Sequence, residues 1–110
     1  MAIVNAQIAS TDTTLITVPA AKKYAITTVL VCNNQFDDAS GANDTTFDMH
    51  VIPSGQSKTL RNLVLNDLKV AAADTFTFNV ERLILEADDR LVFVGANPQN
   101  LSVTVSYLEV

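Results

Sequence analysis

From residue 101 to residue 107 the chain alternates with a period of two. Leu101, Val103, Val105 and Tyr107 are apolar, and Ser102, Thr104 and Ser106 between them are small and polar. Successive side chains of a strand point to opposite sides, so this pattern describes a strand with one face buried and the other wet. The same rule runs through 75–80, where Phe76, Phe78 and Val80 oppose Thr75, Thr77 and Asn79, and through 46–51, where Phe47, Met49 and Val51 oppose Thr46, Asp48 and His50. Residues 24–32 and 91–94 are apolar on both faces. Such strands lie centrally or are covered by a neighbour. The expected core is Val29, Leu30, Phe76, Phe78, Phe93, Val103 and Val105.

The breaks between these runs carry turn chemistry. Residues 19–23 (Pro19, Ala20, Ala21, Lys22, Lys23) and 53–57 (Pro53, Ser54, Gly55, Gln56, Ser57) read as hairpin connections. Residues 87–90 divide two further apolar runs, and 97–100 introduce the last strand. Residues 34–44 form a longer, polar, exposed loop. Residues 63–73 could make a helical turn or two, but Asn62, Asn66 and Asp67 are poor in helix interiors, so the stretch reads as extended. About eight short strands at roughly ten-residue spacing predict an all-β fold, an antiparallel β-sandwich or jelly roll.

A chain of 110 residues supports one domain, here 1–110. Apolar residues make up 48% and charged residues 17%. Disorder is thereby excluded, and the surface is poor enough in charge to expect a partner over part of it. The net charge is −5, and the basic residues never gather beyond the pair Lys22 and Lys23. A nucleic-acid footprint is not expected. The N-terminus lacks a basic start, and Asn5 and Gln7 interrupt it before any long apolar run, so neither a secretion signal nor a membrane span is expected there.

Catalytic chemistry is thinly supplied. His50 is the one histidine and lies with Asp48 on the polar face of its strand, which suggests an exposed or interface position. Cys32 is the one cysteine, so there is neither an intrachain disulfide nor a cysteine zinc site, and it reads as a small buried hydrophobe at a strand end. The three glycines, at 41, 55 and 95, cannot build a phosphate-cradling loop. Asp37, Asp38, Asn43 and Asp44 lack the ligand spacing of a helix-loop-helix calcium site, and Asp88 and Asp89 suit a turn. Without Trp and with only Tyr24 and Tyr107, a sugar-stacking cleft is poorly furnished. No enzyme activity, metal or cofactor is expected. The candidate interaction residues are Ile3, Val4 and Ile8 at the N-terminus, Asp37, Asp38, Asn43 and Asp44 in the long loop, and Asn97 and Asn100 in the last turn.

The run 15–33 (Leu-Ile-Thr-Val-Pro-Ala-Ala-Lys-Lys-Tyr-Ala-Ile-Thr-Thr-Val-Leu-Val-Cys-Asn) resembles a pattern of small virion proteins of tailed bacteriophages. There it reads as a strand, a Thr-Val-Pro-Ala-Gly-Lys turn and a long apolar strand ending in Cys-Asn. Later pieces follow in order at 46–55, 73–78 and 83–91, with a last strand ending near Tyr107 to Val110, so the resemblance covers about 12–110. Two departures stand out: Ala21 replaces the usual Gly, and 34–44 is longer than usual.

The resemblance implies a β-sandwich structural protein of a phage particle, with no catalytic residue to carry over. A lone domain without rod-like segments favours a capsid decoration or cement protein over a tail, neck or fibre-associated part. A host-surface binding module is a further alternative, with the 34–44 loop and the 97–100 turn as its surface. The implied partners are other copies of the chain, expected as a trimer because capsid lattices offer three-fold sites, together with the major capsid protein or tail and neck proteins. The implied location is the particle surface, after synthesis in the bacterial cytoplasm. The segment 1–11 is expected as an N-terminal arm or intersubunit strand, with an ordinary first strand as the alternative.

Overall fold

The computed structural model describes residues 2–110, apart from the side chains of 80–82. Eight strands follow one another: β1 (Ala2–Gln7), β2 (Thr13–Thr17), β3 (Tyr24–Asn33), β4 (Thr45–Ile52), β5 (Leu63–Val70), β6 (Thr75–Leu85), β7 (Arg90–Gly95) and β8 (Leu101–Glu109). One turn of 3-10 helix at Leu60–Asn62 precedes β5. The stretch from 63 is extended, in keeping with its poor helix interior.

The strands form two antiparallel four-stranded sheets, a first of order β1-β8-β3-β6 and a second of order β2-β7-β4-β5. Only β4 and β5 are consecutive strands paired in one sheet, and every other connection crosses between the layers. This is the wiring of an eight-stranded jelly roll.

The 53–57 break lies within the β4–β5 connection of one sheet, as expected, whereas the 19–23 turn does not make a hairpin. It carries the chain from β2 in the second sheet to β3 in the first. Ile16 and Val18 enter the core from one layer and Ile26 and Val29 from the other, so the two strands face each other across the core. Ala21 turns the corner at φ 64°, a left-handed conformation costing an L-residue about 1–2 kcal/mol. The glycine of the resembled pattern would adopt it freely.

Register sorts the side chains. In β8, Leu101, Val103 and Val105 face inward, and β3 answers them with Val29 and Val31. A bulge between Ile26 and Thr28 restores the inward direction, so Ile26 is buried as well. Phe47 and Phe93 come from the second sheet, and Phe47 reaches Phe76 of the first with ring centroids 6.0 Å apart. The two layers are therefore joined through aromatic rings.

Three expected core positions differ. Leu30 points outward and is 37% exposed, because the bulged register aims its neighbours Val29 and Val31 into the core. Phe76 and Phe78 do face inward, but β6 is an edge strand and leaves them half-buried.

Candidate functional site

Three surfaces gather the chemistry of this molecule: the loop end, the outward face of the second sheet and the outward face of the first.

At the loop end, the buried Asn33 donates from Nδ2 to the carbonyls of Asn43 (2.7 Å) and Val70 (3.1 Å). Asn100 donates to the same Asn43 carbonyl at 3.2 Å, and the Asn34 N–H donates to the Asn100 carbonyl at 2.9 Å. The 34–44 loop and the 97–100 turn are thus joined into one rim. Asn97 stands outside this network, and its side-chain oxygen accepts from Gln99.

The loop carboxylates serve the loop itself. Asp37 accepts the Ala39 N–H, and Asp38 accepts the Ser40 hydroxyl at 2.6 Å and the Ser40 N–H at 3.0 Å. Those Ser40 hydrogen bonds hold the Asp38 carboxyl below its ordinary range. Asp44 accepts the Ala72 N–H at 2.9 Å and lies 3.3 Å from Lys69 Nζ. The Ala72 bond first, and Lys69 after it, lower its pKa as well. Among the described residues, no group of three or more His, Cys, Asp or Glu is gathered so that it could hold a metal ion.

The N-terminal candidates divide. β1 pairs with β8 over its whole length within its own chain, so it is the first strand of the first sheet, and among the described residues its other edge has no partner strand. Ile3 points outward and is 69% exposed, Val4 packs inward against the core, and Ile8 is completely buried between the layers. Ile8 therefore does not present a contact surface in this chain, because the crossing from β1 to β2 carries it through the core.

On the second sheet, His50 is buried rather than exposed, with 5% of its surface accessible. The connection 53–62 lies as a strap across this face. The Ser54 N–H donates to Asp89, Arg90 Nη2 donates to the Gln56 carbonyl, and Lys58 pairs with Asp12 ahead of β2. Asn62 closes the strap: its Oδ1 accepts from the Thr59 N–H and stands 2.9 Å from His50 Nδ1, while its Nδ2 donates to the Ser57 carbonyl. His50 therefore carries its proton on Nδ1. Ile52 and Val92, which also point outward from this sheet, are buried, Val92 to 1% accessibility.

The outward face of the first sheet has no such cover. Register sets its side chains in rows: Gln7, Ser102, Cys32 and Thr75; then Asn5, Thr104, Leu30 and Thr77; then Ile3, Ser106, Thr28 and Asn79; then Leu108, Ala25 and Ile84. None of these side chains is charged. Cys32, expected to be buried, is half-exposed in this plane because it shares the outward direction of Leu30. The sequence signal for this face was the polar half of each alternating strand, which holds hydroxyls and amides where a solvated strand ordinarily carries Lys or Glu.

No family model, curated protein or solved structure matches this chain.

Proposed function

We propose that this chain is a non-enzymatic structural protein of a tailed-phage particle, a capsid decoration or cement protein that stabilises the head through contacts between subunits. The observation that carries the reading is the regular outward face of the first sheet, free of charge in its described side chains, on a jelly-roll domain. A plane of this kind gains free energy when another surface covers it. Jelly rolls build viral capsid domains as well as lectins and cupins, so the architecture is compatible with this role and does not by itself select it. The ordered resemblance over 12–110 adds the phage context. Such a role needs no cofactor, and the partners would be other copies of the chain and the major capsid protein at the particle surface.

A second reading, host-surface binding, draws on the rim that Asn33, Asn43 and Asn100 build by joining two loops. Immunogold labelling of intact particles, or a particle reconstruction, tests the proposal. Label over the heads is the expected result. Label confined to tails or necks moves the role there, and binding of the isolated protein to host cells with no label on particles overturns the structural reading.

A further inference from the structure

We infer that the open edge of β1 pairs with β1 of a second copy of this chain, the two strands running antiparallel about a two-fold axis so that two first sheets become one sheet of eight strands. This pairing uses the edge of the sheet, not its outward face, and is independent of the virion role.

The ladder fixes what the edge offers. The Ile8 N–H donates to the Leu101 carbonyl at 2.8 Å, and the β1–β8 register runs from that pair without a shift back to Ala2 and Tyr107. Backbone groups of successive residues point to opposite sides of a strand, so Ala2, Val4 and Ala6 turn theirs toward β8, while Ile3, Asn5 and Gln7 turn theirs to the open side. Among the described residues no strand pairs there. Three N–H and three C=O groups in a row specify an extended backbone as the occupant, as in strand addition. Val4 packs against the core, yet it and Ala6 on the same side are only half-buried at this margin, so a further strand would also cover apolar surface.

The other sheet edges are blunted. β6, at the far side of the same sheet, carries Glu81 and Arg82 and shifts register against β3 between Ile26 and Thr28. On the second sheet, β2 has five residues and a register shift between Thr14 and Ile16, and β5 turns left-handed at Asp67 (φ 48°) and shifts register against β4. Bulges, short length and charge are the devices by which sheets avoid pairing edge to edge. β1 has none of them: its pairing is in register from Ala2 to Gln7, and no side chain from 2 to 10 is charged.

A second copy is the occupant because the edge is its own complement. With Asn5 opposite Asn5 of the second copy, Ile3 of each strand falls opposite Gln7 of the other, and the three outward residues of both copies exchange their N–H and C=O groups in about six hydrogen bonds. In that register Val4 falls opposite Ala6 of the second copy on the inward side, a larger side chain against a small one, and the two Asn5 amides on the outward side can each donate to the other. Two chains of net charge −5 thus meet along a segment that carries no charge. The same edge on both copies generates a two-fold pair, whereas a ring of three would have to join β1 to a different edge, and those are blunted. The pair therefore stands in place of the trimer expected from capsid geometry.

Sedimentation equilibrium of the purified chain across a concentration series tests the pairing, with circular dichroism to show that each variant is folded. A monomer–dimer equilibrium is expected. Asn5→Pro removes an N–H that points away from β8, where an edge strand tolerates proline, and should weaken pairing at least about tenfold. Leu30→Lys, on the outward face of the same sheet, should leave pairing unchanged. Register has its own readout. In a Cys32→Ser background, Asn5→Cys puts two thiols across the axis with Cα atoms about 5.5 Å apart, within disulfide range, while Ile3→Cys puts them about 14 Å apart. Mild oxidation with copper phenanthroline should cross-link the first at least about tenfold faster than the second. A monomeric mass up to about millimolar concentration, a trimeric mass, a folded Asn5→Pro variant that pairs like the parent, or equal cross-linking at positions 3 and 5 would each overturn the inference. Particle labelling reads the virion role separately, so either can fail without the other.

Discussion

β3 and β7 are both central strands with apolar residues on both faces, yet their outward faces meet different fates. On the second sheet the chain covers its own surface: the strap lies over β7, and Val92, His50 and Ile52 are buried beneath it. On the first sheet, Leu30 and Cys32 of β3 look out from a plane that none of the described segments crosses. An apolar outward face is a requirement for cover, and the strap meets that requirement within the chain. On the first sheet no described segment meets it.

The largest test of this contrast is its reference point, the layer both sheets share. Phe93→Ala removes a completely buried ring and should cost about 3–5 kcal/mol in urea unfolding, whereas Phe76→Ala, on the edge strand, should cost about half as much. Equal costs would show that the edge position does not open the core. Next comes the strap. Asn62→Ala leaves the His50 Nδ1–H, the Thr59 N–H and the Ser57 carbonyl without their partner, and a loss of about 1–3 kcal/mol is expected. Hydrogen exchange should quicken on the strap and leave β3 unaffected.

A matched pair of substitutions sharpens the comparison further. Val92→Thr places a hydroxyl under the strap and should cost about 1–3 kcal/mol. Leu30→Thr, measured in dilute protein, should change stability by no more than about 0.5 kcal/mol. If both substitutions cost the same, the two faces are not differently covered.

The smallest effect belongs to the loop end. Asp38 and Asp44 have lowered pKa values in the folded chain, so the stability they contribute is present at neutral pH and is lost as pH falls through those lowered values. Asp44→Asn should flatten the fall of Tm at acid pH and lower Tm slightly at pH 7. An unchanged acid limb would show that the Ala72 and Lys69 contacts do not bias the carboxylate.

Alternation made the strands legible. Periods of two in 46–51, 75–80 and 101–107 follow from backbone geometry alone, and turn residues marked most of the ends, so the class of fold could be read locally. The loop-end asparagines were visible as candidates for a similar reason, since polar residues in turns announce themselves. Their joining was not visible, because Asn33, Asn43 and Asn100 meet only when two crossings between the layers bring 34–44 beside 97–100.

Strand pattern by itself determined that this chain would be an antiparallel two-layer β protein, because the direction of a side chain on a strand is a local property. Which strands would be neighbours was decided only in three dimensions. The 19–23 turn and a true hairpin turn have similar composition, and what separates them is that β2 finds its partner in β7, more than seventy residues away. Cover was decided there too. His50 looked exposed because its strand alternates, and it is buried because the connection that leaves its own strand folds back over it. Leu30 looked buried because its strand is apolar, and it is open because none of the described segments returns to that side. Alternation states which way a residue points, and only the packed molecule determines what waits there.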